Sequence, residues 1–447
     1  MMEGFMSIRN RTRTVPALVL GGLLGGATWA GAVTIIDTPN PAPQTVQCDP
    51  GNAGLTLPDG FCALLFASDV TGARHIDVAP NGDVFVALRN TRTRGRGAST
   101  GGVMVLRDTN GDGKADRREQ WGENGGTGIF LHDDHVYFAP DDAVLRYPLA
   151  SGSMRPSGRP DTIVMGLPSD RNHAAKSIAI APDGSLYVNI GAPSNACQTQ
   201  ARQRGSRGVD PCLQLEDRGG IWRFSATRVR QRQSGSRPFA TGLRNVVALA
   251  LNPATGSVFG VMHGRDSLSE LWPELFTEAQ RIEKPAEEFV LIERGDDFGW
   301  PYCYQDPETA TKYLGPEYGG DGRAIGRCAS AKRPLVGFPA HWAPNGLVFY
   351  DGMQFPERYR GGAFVAFHGS WNRAPAPQAG YNVAFVPMSG DRVTGAWSVF
   401  ADGFAGGNIS PQGAQGRPSG IAVGPDGSLY VSDDRGGSIW RIMYRGD

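Results

Sequence analysis

Apolar and polar positions alternate with period two along much of the chain, and the same short turn repeatedly breaks the alternation. An apolar run, a Pro/Asn/Asp-Gly turn and a second apolar run occur as "IDVAPNGDVFVAL" from Ile76, "IAIAPDGSLYVNI" from Ile178, "LALNPATGSVFGVM" from Leu249 and "IAVGPDGSLYVSDD" from Ile421. Two weaker copies, "IFLHDDHVYFAP" from Ile129 and "LVFYDGMQFPERYRGGAFVAF" from Leu347, bring the number to six. Each reads as a β-hairpin. Successive copies lie roughly fifty to a hundred residues apart, room for about four short strands, the content of a propeller blade. No helical heptad or βαβ alternation competes. The pattern therefore predicts an all-β fold, a six-bladed β-propeller over residues 48–447, with a β-sandwich carrying insertions as the alternative.

Composition agrees with a fold made of hairpins: 62 residues are glycine and 32 proline. The 44 Lys and Arg balance the 44 Asp and Glu, which gives no reason to expect nucleic acid or an anionic membrane as partner. A length of 447 residues usually means two or three domains, but blades add around a ring, so a propeller keeps it as one.

Residues 1–32 read as an export signal, with Arg9, Arg11 and Arg13 ahead of "ALVLGGLLGGATWAGA" and small residues at Ala30 and Ala32 suited to cleavage. Extension of the apolar run through "VTII" leaves an uncleaved anchor open. Cleavage would give a periplasmic or secreted chain with no membrane span. Residues 33–47 form a Pro-rich linker. Six cysteines in an exported chain fit disulfides. Chain order suggests Cys48–Cys62, Cys197–Cys212 and Cys303–Cys328 among the fifteen possible connectivities. No CxxC spacing supports a thiolate metal site.

The residue just before each inner strand of a propeller stands at the mouth of the central channel. Those places hold His75, His173, Arg244 with Asn245, His341 and Arg417, so five of the six copies carry a cationic or titratable group, in a chain with seven histidines. Any one of them alone reads as a loop residue making a local hydrogen bond. Together they predict a functional mouth that attracts an anion and holds an imidazole able to accept a proton. No HExxH or P-loop supplies a hydrolytic centre, and a site rich in anion-binding groups but poor in its own chemistry suggests a cofactor.

With those motifs in hand, "RNHAAKSIAIAPDGSLYVNIG", "GLRNVVALAL", "MHGRDSLSELWPELF", "PAEEF", "DFGWPYCY", "HWAPNGLVFY", "AFVAFHGSWNR" and "RPSGIAVGPDGSLYVSDD" together resemble the glucose/sorbosone dehydrogenase family of pyrroloquinoline quinone (PQQ) enzymes, the sorbosone-dehydrogenase-like branch above all. The resemblance implies a six-bladed propeller, PQQ, calcium, oxidation of a sugar or aldehyde, and a soluble or membrane electron acceptor. It places His173 as general base, Arg244 and Asn245 beside the cofactor, and Arg417 opposite a cofactor carboxylate. It makes the backbone carbonyls of Gly264 and Arg265 calcium ligands and His263 and His341 further cofactor contacts. Three departures put glucose as substrate in doubt: Val246 and Val247 follow the Arg-Asn pair, Ser419 replaces a second arginine, and Arg373 stands for a lysine.

Independently of that family, "DTNGDGKADRRE" matches an EF-hand loop through Asp108, Asn110, Asp112, Gly113, Asp116 and Glu119. Its flanks look like strands, so a second calcium site competes with a hairpin turn whose aspartates cap their own backbone. Two other functions stay open. One is a calcium-dependent lactonase, which needs carboxylates converging on the channel; the other is a propeller without cofactor that binds carbohydrate or protein.

Overall fold

All six predicted hairpins form, and each supplies the two inner strands of a four-stranded antiparallel sheet in the computed structural model. The structure describes residues 46–91, 99–233 and 238–446. The signal over 1–32 and the linker over 33–47, apart from Val46 and Gln47, lie outside the described residues. The inner strands are Ala73–Val78, Gly126–His132, Ile178–Ile180, Ala248–Leu251, Pro344–Phe349 and Pro418–Val423, in blades numbered here one to six. Each inner strand packs against the inner strands of the blades before and after it, and the sixth against the first, which closes the ring. The chain is a six-bladed β-propeller.

What closes the ring is a strand the hairpin pattern does not contain. Phe61–Ala67 joins the last sheet as its outermost strand, pairing antiparallel with Ile439–Tyr444. Phe61 sits with Tyr350, Phe355, Tyr359, Phe364, Phe385 and Phe400 in one aromatic cluster between the last two blades. Its ring meets Phe355, Tyr359 and Phe400 edge-on. Burying each such ring contributes about 1.5–3 kcal/mol, so the first strand fastens the last blade by its side chains as well as its ladder.

The three expected disulfides are present. Among the described residues no helix is long and apolar enough to cross a membrane.

The mouth of the channel is built by irregularity. Register shifts fall at the start of four inner strands, between Ala73 and Ile76, Gly126 and Gly128, Pro344 and Gly346, and Pro418 and Ile421. A bulge there breaks the strict alternation and re-aims side chains toward the rim. Deeper in, all six inner strands line a mainly apolar cavity of about 390 Å3 that includes His75, whose Nε2 bonds Asn345 O at 2.8 Å. His75 thus belongs to the channel wall and not to the site described next.

Candidate active site

Blades three to five converge on a second, polar cavity of about 200 Å3 lined by His173, Arg244, His263, Gly264 and His341, together with Asn195, Asp266, Glu287, Trp371 and Asn372. Five predicted residues therefore meet in one place.

His173 stands in left-handed backbone, φ 55°, a conformation non-glycine residues seldom adopt and that gathers at functional sites. The neighbouring strand makes room for it: a Cβ on Gly191 would lie 2.5 Å from His173 Cβ and 2.7 Å from Asn245 Oδ1. Nδ1–H donates to Ala192 O at 2.5 Å, which fixes the tautomer and leaves the Nε2 lone pair without a partner among the described residues. Burial, then the nearby Arg244 charge, lowers its pKa to about 3, so the ring is neutral. His263 donates Nε2–H to Pro344 O at 2.7 Å, and burial lowers it to about 4. His341, also left-handed at φ 67°, donates Nε2–H to Arg281 O at 2.8 Å, and burial lowers its pKa too.

Arg244 is held by carbonyls and one carboxylate. It donates to Asn195 O at 3.3 Å, Gly264 O at 3.0 Å, Asn195 Oδ1 at 3.2 Å and Asp266 Oδ2 at 3.1 Å. That occupies four of its five N–H groups and leaves one for a ligand. Asp266 is the hub: Arg202 reaches it at 2.9 Å and Asn372 Nδ2 at 3.0 Å, and His341 Nδ1 lies 3.7 Å away. Burial would raise its pKa, but Arg244, His341 and Arg202 together hold it down at about 2. Glu287 accepts from Gly264 N at 2.7 Å and Ala343 N at 3.2 Å, and burial raises it to about 7.

The remaining predicted residues stand elsewhere. Asn245 is buried behind the cavity, accepting from Asn189 Nδ2 at 3.1 Å. Arg265 turns away into a buried pair with Glu317 at 2.5 Å, so only its backbone is close to Gly264. Arg417 donates to His368 O at 2.8 Å and Gly369 O at 2.6 Å over the ring of Tyr381, next to a second hub in which Asp434 gathers Arg74, Arg89 and His368. Arg373 is spent on Ile282 O, Ala340 O and Glu283.

The Asp108–Glu119 loop is closed by its own hydrogen bonds. Asp108 accepts from Gly111 N and Gly113 N, Asn110 from Asp112 N, Asp112 from Lys114 N, and Asp116 from Thr109 N and Oγ1. Glu119 pairs with Arg117 and Arg155. Among the described residues no three His, Cys, Asp or Glu side chains are grouped to hold a metal ion. Asp108→Ala should therefore lower stability by about 1 kcal/mol through lost capping, equally in calcium and in chelator. A calcium-dependent melting shift that disappears in Asp112→Ala would assign an ion to the loop instead.

Sequence reasoning missed Asp266, Glu287, Asn195, Asn372 and Trp371, although Asp266 directly follows Arg265 and Glu287 lies in "PAEEF".

A family model described as TrAA12-like matches residues 55–445. The chain belongs to the TrAA12-like family. The expected likeness to PQQ-dependent sugar dehydrogenases is met in fold, as the solved neighbours of this TrAA12-like chain include them. The holo PQQ domain of pyranose dehydrogenase from Coprinopsis cinerea matches with TM-score 0.69 at 20% identity, covering 87% of this chain and 97% of that one. The calcium structure of the Trichoderma reesei family AA12 enzyme matches with TM-score 0.69 at 17% identity, covering 90% and 99%. The PQQ-bound aldose sugar dehydrogenase of Streptomyces coelicolor gives TM-score 0.52 at 18% identity over 87% and 99%. At such identities the likeness is one of fold. By sequence, the PQQ-dependent pyranose dehydrogenase of Coprinopsis cinerea is 30% identical over 175 residues, 32% of this chain and 22% of that protein. An uncharacterised protein of Borreliella burgdorferi is 30% identical over 206 residues, 46% and 48% of the two chains. The TrAA12-like chain thus spans less than half the length of the curated relatives it matches.

Proposed function

We propose that this chain is a PQQ- and calcium-dependent dehydrogenase that oxidises a sugar or aldehyde of the pyranose or sorbosone kind, exported to the periplasm or beyond. The observation that carries this is the free Nε2 of His173 in one cavity with the Arg244–Asp266 pair. The Coprinopsis relative, a PQQ-dependent pyranose dehydrogenase, supports the same reading.

The lining fits an anionic cofactor and a hard cation. Arg202 and Arg244 bring positive charge. Among the described residues Asn372 Oδ1 is buried without a partner, an acceptor that calls for a donor or a cation. The carbonyl of Gly264, through the lone pair that Arg244 leaves, and that of Arg265 would hold calcium, whose ligands are oxygens. Bound PQQ supplies a hydride acceptor.

The chain's own part is proton management and charge. Ala192 O fixes His173 Nδ1–H, so Nε2 faces the substrate hydroxyl and takes its proton as the C–H hydride leaves. Arg244 keeps one N–H for an oxygen that gains negative charge, inside a buried site where such a donor is worth more than in water. Asp266 holds that guanidinium in place.

Titration of the purified chain with PQQ and calcium tests the reading. A quinone absorption band should appear, bleach on adding an aldose, and be lost on chelation. No uptake of quinone would sink the proposal.

A further inference from the structure

A thin partition separates the catalytic cavity from the apolar channel beneath it. Ala343 lines the first and Gly346 the second, and three residues span at most about 11 Å even when fully extended. Two histidines grip the carbonyls in between, one from each side. His263, in the catalytic cavity, donates Nε2–H to Pro344 O at 2.7 Å, and His75, in the channel, donates Nε2–H to Asn345 O at 2.8 Å. Covalent and hydrogen bonds therefore run without a gap from one cavity to the other, over a span that electrons can tunnel and molecules cannot pass.

The channel reaches solvent at the face opposite the catalytic mouth, where Pro182, Pro253, Gly256 and Asp351 of its lining are exposed. Its volume of about 390 Å3 lies in the range of small-molecule sites. Among the described residues no Lys or Arg lines it, while Asp77 and Asp351 do, so it disfavours an anion. Its side chains are mainly apolar. Each inner strand, however, is the terminal strand of its sheet, so the N–H and C=O groups on its channel side stand outside the ladder. A hydrocarbon would leave such groups unpaired; a neutral flat ring with carbonyl oxygens at its edge suits both the apolar walls and the free N–H groups. Oxidation of CH–OH to C=O releases two electrons and two protons, and these need an acceptor. We infer that the channel is the site of that acceptor, a quinone of the benzoquinone or naphthoquinone class, which enters from the face opposite the catalytic mouth and is reduced across the partition that His263 and His75 grip. The quinone takes two electrons from the reduced cofactor and two protons from solvent at its own mouth, one on each carbonyl oxygen, and leaves as the quinol. The two protons of the oxidised CH–OH group leave through the catalytic mouth. The inference rests on the dehydrogenase reading and names its electron acceptor.

Menadione, a neutral naphthoquinone, is the probe. Equilibrium dialysis against the chain without PQQ should show one menadione site, and a naphthoquinone sulfonate should bind about tenfold more weakly because of its charge. Leu251→Trp and Val423→Trp, at half-buried positions of the lining on two different blades, narrow the channel and should each weaken menadione about tenfold, with folding checked by the melting temperature. In the holoenzyme the ratio of menadione to ferricyanide turnover at low acceptor should fall by the same factor, since ferricyanide is an anion drawn to the cationic catalytic mouth. High aldose should not compete with menadione in the wild type, as it would with an acceptor sharing the catalytic mouth. Such competition, or a ratio that neither tryptophan moves, overturns the inference. A decyl-tailed quinone distinguishes two sources of the same ring: tighter binding than menadione marks a lipid-borne carrier and equal binding a diffusible one, and either supports the site. If the wild type takes up no PQQ, the dehydrogenase reading fails, yet menadione held by the wild type and lost from the tryptophan variants still supports a quinone site in the channel. Absence of menadione binding in the wild type overturns it, whatever the result with PQQ.

Discussion

Replacing His173 with alanine should cut turnover by on the order of a hundredfold or more, the scale on which a positioned general base acts, while leaving quinone uptake nearly intact. The division follows from geometry. Alanine keeps the Cβ that packs on Gly191, and the backbone of residue 173 already holds its left-handed conformation, so the wall of the cavity survives. Only the imidazole is lost, and with it the Nε2 lone pair. Cofactor retention is carried by other groups, Arg244 among them. The measurement is single-turnover bleaching of the quinone band, which separates the chemical step from binding and product release. Full turnover in His173→Ala would move the base elsewhere. His341 would be the first suspect, since its Nδ1 also faces the cavity, beside Asn372.

This prediction draws on a residue that was legible in the sequence, and the reason it was legible is strand phase. A period-two run with a Gly turn fixes where an inner strand begins, hence which residue stands at the mouth, and His173, Arg244 and His341 were found that way. The closing strand Phe61–Ala67 was not, because its partner Ile439–Tyr444 lies at the far end of the chain and no local turn links the two. Side-chain direction was also hidden. Arg373 and Arg417 sit on the segments the sequence indicated, but a long guanidinium goes where carbonyls await it, and here those are Ile282 and Ala340 for one and His368 and Gly369 for the other. The opposite error concerns Asp266. An aspartate between Arg265 and Ser267 reads as a turn residue, and only folding brings Arg202, Arg244 and Asn372 onto it from four separate stretches of chain, its own included.

That convergence makes Asp266 a residue whose loss should cost the fold heavily. Arg244 has a side chain only 4% exposed, and Asp266 is its one carboxylate partner among the described residues. In Asp266→Ala the guanidinium stays buried with carbonyl acceptors alone, a situation that destabilises by about 3–5 kcal/mol when one member of a buried pair is removed. Chemical denaturation should show this as a lower midpoint at unchanged slope. The double variant Asp266→Ala/Arg244→Met should be more stable than the single one, because the uncompensated charge leaves with its partner. The pH dependence has a definite sign. Asp266 is held at about 2 in the fold against an ordinary 3.8. Its charge therefore contributes stability that is fully present above the ordinary value and is lost as pH falls from about 4 toward about 2. Asp266→Asn should be less stable than wild type at neutral pH and should lack that acid-side loss. If Asp266→Asn instead matched the wild type at neutral pH, or fell away along the same acid curve, the aspartate would be holding Arg244 by hydrogen bonding alone, and the cavity would owe its order to the carbonyls of Asn195 and Gly264.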